Sequence, residues 1–229
     1  MAELFRHQAL RDNFMKFMLN YFSIKKIIFL LILEFFVLEG ICLGQQLPSQ
    51  KEFNEMMNKS FRAEGIAGMD RIDQDPTQKL CSDQKFLLSK AGANKAKELE
   101  QQNMKSIQQP SDGIYIGDWK SGEAIAQSGR GATWTDSPQT VIGGGCYNCH
   151  EINKKELSYG NIGPSLWNYG KNRGYSKEVI TYTWNRINNS KAYNICSNMP
   201  RFGHFKLLNE KQIQDVMALL LDPNSPVNQ

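Results

Sequence analysis

The densest chemistry in this chain lies in five residues, Cys146-Tyr147-Asn148-Cys149-His150. The pattern is Cys-x-x-Cys-His, the attachment pattern of a c-type haem. Two thiols with two residues between them can add to the two vinyl groups along one edge of a porphyrin. The residue that follows is then held beneath the macrocycle, where its imidazole can bind the iron. On this reading Cys146 and Cys149 are thioether anchors for one covalently attached haem c, and His150 is the proximal ligand. The same pattern also occurs as half of a zinc site or as a redox dithiol. Zinc would need two more ligands, and the sequence has no second Cys-x-x-Cys pair. A thioredoxin-like dithiol would sit in a βαβ pattern, which the periodicity does not show.

A second axial ligand is sought in Cys196-Ser197-Asn198-Met199-Pro200-Arg201-Phe202-Gly203-His204. A Met followed by Pro in a loop is poor core material and good ligand material. The proline fixes the local backbone, and a thioether is a soft ligand for haem iron. Met199 is therefore the expected distal ligand. His204 competes with it, as do the other methionines: Met217 in a helix stripe, and Met56, Met57 and Met104 nearer the N-terminus. One loop and one helix separate His150 from Met199, enough chain to pass around a haem. A metal-bound imidazole needs its other ring nitrogen hydrogen-bonded, which fixes tautomer and orientation. The carbonyl of Pro164, in Gly163-Pro164-Ser165-Leu166, is the expected acceptor; the alternative is an ordinary Gly-Pro turn. Arg173, in Gly170-Lys171-Asn172-Arg173-Gly174, reads as a loop residue that could hold a haem propionate bidentately or stay solvated. No catalytic nucleophile stands out.

These residues need a scaffold. The chain has 229 residues, room for one ordinary domain plus extras, with 41% hydrophobic residues and a formal net charge of +4. That composition supports a packed core and is too polar for a membrane bundle. No Lys/Arg block marks a nucleic-acid footprint. Residues 1–44 read as a signal peptide: Lys25 and Lys26, then apolar Ile27 to Leu33 and Phe35 to Leu38, then Gly40 and Gly44. The alternative is an uncleaved anchor, which Glu34 and Glu39 disfavour. Cys42 precedes the expected cut, but Glu39 and Ile41 fit a lipoprotein signal poorly. Export to the periplasm, with no membrane span in the mature chain, agrees with the haem motif, since c-type haem is attached outside the cytoplasm.

Residues 45–110 read as a polar helical extension. Phe53, Met56, Met57 and Phe61 form one stripe, Asp75-Pro76 starts a helix, and Leu80, Leu87 and Leu88 follow on one face. The segment lacks a core of its own and must lie on something else. Pro110-Ser111-Asp112-Gly113 is a turn cluster, and residues 111–229 form the expected haem domain. Within it Asp118 caps a helix through Ser128, and Ser176 to Asn188 is helical, with Trp184 as core. A capping box at Asn209 and Gln212 opens a helix with Ile213, Val216, Met217, Leu220 and Leu221 on one stripe. That last helix should pack on the domain's first, and the fold class is all-α.

The order helix, Cys-x-x-Cys-His, Gly-Pro-x-Leu, Met-Pro, C-terminal helix resembles a class I cytochrome c. More specific is Lys191-Ala192-Tyr193-Asn194-Ile195-Cys196-Ser197-Asn198-Met199-Pro200-Arg201-Phe202-Gly203-His204. It resembles the SoxX family, monohaem subunits of the SoxAX complex in bacterial thiosulfate oxidation. Asp215-Val216-Met217-Ala218-Leu219-Leu220-Leu221-Asp222-Pro223 and Gly68-Met69-Asp70-Arg71-Ile72-Asp73-Gln74-Asp75 fit the same family, so the resemblance runs from about residue 60 onward. It implies His/Met ligation, a periplasmic location and a SoxA-like partner, dihaem or monohaem, that carries the catalytic haem. It also implies a SoxYZ-type carrier protein, whose cysteine receives thiosulfate, and a downstream cytochrome. The long Gly131–Gly145 insert departs from the family pattern.

Cys81 and Cys196 remain. In an oxidising compartment they suggest a disulfide tying the extension to the Met199 loop; the alternatives are two buried thiols, or Cys196 facing the haem pocket. Three functions follow from the residues. The first is an electron-transfer subunit of a thiosulfotransferase complex. The second is a free-standing periplasmic shuttle. The third is a haem peroxidase or gas sensor, which would need an open distal site.

Overall fold

The computed structural model describes residues 48–229, and the expected signal peptide, with Cys42, lies outside them. The described residues are helical and contain no β-strand; a lone bridge pairs Glu64 with Ala67. The chain divides into units 1–56 and 57–229. Helix α1 (Gln50–Ser60) spans that junction and buries none of its residues; Phe53 and Met56 on its apolar stripe are exposed.

Four helices and a 3-10 turn complete the N-terminal half of the second unit. A 3-10 turn at Met69–Ile72 leads into α2 (Pro76–Ser82), α3 (Gln84–Leu87) and α4 (Lys90–Lys105), and α5 (Trp119–Gln127) follows. The start of α2 is written in its first residues: Asp75 accepts from Gln78 N–H at 2.8 Å, Gln78 reaches back to Asp75 N–H at 2.9 Å, and Pro76 occupies the first helical position. The Leu80–Leu88 stripe does not run on as one face. Asp83 ends α2 and caps α3 through Phe86 N–H, and Leu88 is left 87% exposed. Leu80 and Leu99 are instead buried with Ile195, and Cys81, Leu87, Ala96 and Cys196 pack around them. This small second core draws residues from both the extension and the Met199 loop.

The main core is organised by α5 and α8 (Glu210–Leu221), which pack directly on each other. Asn209 and Gln212 form the capping box of α8, and Ile213, Val216, Met217, Leu220 and Leu221 are all buried. Gly122 sets how closely the two helices approach, because a methyl group there would collide with the Asp215 carbonyl. Buried Asp215 ties the pair at one end, accepting from Asp118 N–H at 2.8 Å and from Lys211. Helices α6 (Tyr169–Arg173) and α7 (Lys177–Asn188) pack on α8 as well, and Ser176 caps α7. Trp184 is 2% exposed, donates its indole N–H to Gln108 O at 2.9 Å and meets Tyr115 edge-on. That hydrogen bond anchors the end of the extension in the main core.

The Gly131–Gly145 insert is an excursion whose ends are drawn together. Gly143 N–H donates to Arg130 O, Gly144 N–H to Ile125 O and Gly145 N–H to Ser128 O, each at 2.8 Å. The residue before Cys146 is therefore bonded directly to the end of α5, whatever the loop between them does. Arg71 and Gln212 bind the insert's backbone at Ala132 O and Ile142 O, each at 2.8 Å.

Candidate functional site

Cys146–Asn148 form a single 3-10 turn, so Cys149 and His150 N–H both donate to Cys146 O, at 3.1 and 3.0 Å. The turn presents the two thiols in succession and His150 after them. Tyr147, in the middle, points inward: it is 6% exposed, and its hydroxyl donates to Glu123 of α5 at 3.0 Å. Burial raises the Glu123 carboxyl above its ordinary range, against the hydrogen bonds from Tyr147 and Asn153. Outward, the segment after His150 straps the turn, with Gly160 N–H on Tyr147 O and Gly163 N–H on Cys149 O, both 2.8 Å.

His150 Nδ1–H donates to Pro164 O at 2.7 Å. A carbonyl can only accept, so in the neutral ring the Nδ1 proton is fixed and Nε2 keeps its lone pair for a metal. The strap brings Gly163 against the flat of this ring; a methyl group there would strike Cε1. The Gly-Pro step is thus more than a turn: Gly163 makes room for the imidazole and Pro164 orients it.

Cys146 and Cys149 are free thiols, whereas Cys81 and Cys196 are joined in a disulfide. Burial pushes the Cys146 thiol up to about 12, a setting opposite to that of a reactive redox cysteine, whose pKa is depressed. Among the described residues no three His, Cys, Asp or Glu side chains converge as a metal cluster. In the sequence flanking the turn several apolar side chains are exposed: Val141 is 76%, Leu157 101% and Ile162 77% exposed.

Met199 is half-buried and packs on the edge of the main core. Ser190, fully buried in a 3-10 turn, donates its hydroxyl to Met199 O at 2.6 Å, and Met199 N–H donates to Ser197 Oγ at 3.2 Å. Met217 is fully buried in the main core. His204 lies edge-on to Phe205, and burial first, then the Arg201 charge, lowers its pKa. Arg173 is placed differently from the sequence expectation. It ends a short helix rather than sitting in a loop, and its guanidinium lies over Tyr169 at 5.1 Å and Tyr182 at 5.8 Å. Two residues take a role here that the sequence does not mark. Asp75 and Arg201 form an ion pair at 2.5 Å beside the Met199 loop, and Arg201 is 2% exposed. The Asp-Pro signal marked Asp75 only as a helix cap.

No family model matches the chain. Over 162 residues it is 35% identical to an uncharacterized lipoprotein of Aquifex aeolicus (strain VF5), an alignment covering 68% of this chain and 73% of the relative. The chain belongs to the family of that protein.

Proposed function

We propose that this protein is an exported monohaem c-type cytochrome of the SoxX kind, which accepts electrons inside a SoxAX-like complex and passes them on. The observation that carries the reading is the His150 imidazole. Its Nδ1 proton is committed to Pro164 O at 2.7 Å, immediately after two free thiols on one 3-10 turn. That donor set suits haem c: two thiols for the vinyl groups and one nitrogen lone pair for the iron. The exposed Val141, Leu157 and Ile162 supply apolar surface of the kind a porphyrin would cover. Helix α5 leading into the motif, and α8 packed across α5, support a cytochrome c-like arrangement.

Haem supplies a one-electron couple, and thioether ligation raises its potential. This chain's residues would do the rest. Cys146 and Cys149 would hold the group, His150, oriented by Pro164, would supply a nitrogen ligand, and Met199 would supply a thioether ligand. Arg173 remains a donor for a propionate, at the loss of its tyrosine contacts. Ligation by both residues would leave no open position for a substrate, which favours electron transfer over peroxidase or sensor chemistry. The extension favours a subunit over a free shuttle, because its Phe86 and Leu88 are left facing outward, open to a SoxA-like partner. Export is supported by the relative, which is named a lipoprotein. The position of Glu39 and Ile41 before Cys42 favours cleavage near Gly44 over lipidation.

Mass spectrometry of the protein exported from a host that attaches c-type haem tests the reading. One haem should be bound covalently, and Cys146→Ala with Cys149→Ala should abolish it. An exported, folded chain with both thiols alkylatable and no haem would overturn it.

A further inference from the structure

We propose that the N-terminal extension positions the distal ligand. In this arrangement Asp75, through Arg201, and Cys81, through its disulfide to Cys196, grip the Met199 loop from both sides and hold the thioether in place for iron. The inference rests on the His150/Met199 reading and deepens it.

The contacts bracket Met199 closely. Cys196 lies three residues before it and is cross-linked to Cys81 of α2. Arg201 lies two residues after it, and its side chain is 2% exposed while paired with Asp75, the residue that caps the same helix. The guanidinium also covers the Phe205 ring at 4.4 Å. Helix α4 adds two more holds. Glu100 accepts the Ile195 N–H at 3.1 Å, and Asn103, buried, accepts from the Asn189 side chain at 2.9 Å. Asn189 caps the 3-10 turn containing Ser190, whose hydroxyl bonds Met199 O. Thus α2 with its cap and α4, all in the extension, hold the loop before the methionine at Ile195 and Cys196 and after it at the Arg201 side chain. Arg201 is a buried cation, and Lys191 and His204 stand in the same field, so Asp75 balances a local cluster of basic groups. Removing its charge leaves that cluster uncompensated, and a loop under that strain can leave its packed position.

Met199 is therefore held by residues more than a hundred positions upstream, at separations of 126 for the ion pair and 115 for the disulfide. Asp75, Arg201, Cys81 and Cys196 are positioning residues, since they act on the ligand only through the loop.

The test uses the full-length exported haem protein. Asp75→Asn keeps the capping oxygen and removes the charge; Cys81→Ser with Cys196→Ser removes the cross-link. Ser225→Ala is the control, since it deletes a fully buried hydroxyl bonded to Leu219 O without touching the loop. Two readouts report the ligand: the weak far-red band of methionine sulfur on ferric haem, and the rate at which carbon monoxide binds the ferrous protein. Circular dichroism follows the fold. Both loop variants should lose intensity in the band and bind carbon monoxide at least about tenfold faster than wild type, because the displaced-loop state becomes populated. The control should change neither readout. If the cysteine variant does not fold, Asp75→Asn alone decides. Folded variants with the wild-type band and wild-type carbon monoxide rate would overturn the proposal while leaving His/Met ligation standing. A wild-type protein with haem but no methionine band would overturn the ligation and this proposal together.

Discussion

The two sides of the proposed haem site are built by opposite means. Around His150 the structure is local. One 3-10 turn, a strap ending at Pro164 and helix α5 make the contacts described, and His150 is only 14 residues from its acceptor. Around Met199 it is remote. The loop is secured by Asp75, Cys81, Glu100 and Asn103, across separations of 126, 115, 95 and 86 residues. Joining distant segments costs more chain entropy than closing a short strap, which is why a covalent link has its greatest leverage there. The difference separates two tasks. On the proposed reading, attachment to Cys146 and Cys149 needs only a short motif. Keeping a thioether in one position requires the finished fold.

This contrast can be attacked at either side. The largest effect belongs to the cross-link. Cys81→Ser with Cys196→Ser should lower the free energy of unfolding by about 3–5 kcal/mol, since the bridged span is long. Urea melts measure this. Covalent haem at Cys146 and Cys149 should be undiminished, and a parallel loss of attachment would erase the distinction between the two sides. Next comes Gly163→Ala, which drives a methyl group into the His150 ring and should cost about 1–3 kcal/mol. Its signature is on the proximal side: the Nδ1 proton resonance of His150 should shift or vanish, with the Cys81–Cys196 bridge intact. Third, Asn103→Ala strips the buried Asn189 amide of its 2.9 Å acceptor and should cost about 1–2 kcal/mol in the same melts.

The smallest effect is a pH dependence. Burial raises the Asp75 carboxyl, but the Gln78 N–H and the Arg201 guanidinium outweigh it, and the pKa lies below the ordinary 3.8. A depressed carboxylate contributes stability above its unfolded pKa and loses it as pH falls through the folded one. Arg201, Lys191 and His204 are the charged or titratable groups facing Asp75. The stability gap between wild type and Asp75→Asn should therefore hold down to about pH 4 and close below it. A gap that closed between pH 5 and 7 would assign the effect to His204 instead.

Sequence reasoning reached the elements whose signals are short. The caps at Asp75, Asp118 and Asn209 are each bonded within three residues, and each helix start follows from them. The Pro164 carbonyl was legible for the same reason, through a motif and a nearby Gly-Pro step. What failed had a non-local cause. Leu80 and Leu88 suit one stripe, yet Asp83 breaks it, because Leu80 packs against Ile195 on a distant loop. The glycines flanking Lys171-Asn172-Arg173 suggest a loop, but buried Asn228 accepts from Gly170 and Lys171 N–H at 2.9 and 3.2 Å and stabilises a helical turn. The sequence left Cys81 and Cys196 open between disulfide and free thiols, because pairing depends on where the extension lies. Arg201 looks like any loop arginine until Asp75 is placed beside it.

In the proposed function His150 and Met199 together close a haem site for electron transfer. The absorption spectrum of the oxidised, exported protein tests it most directly. A low-spin spectrum with the far-red methionine band, lost in Met199→Ala and kept in His204→Ala, is the expected result. A high-spin spectrum, or a band that survives Met199→Ala, would contradict it and move the open-site readings ahead.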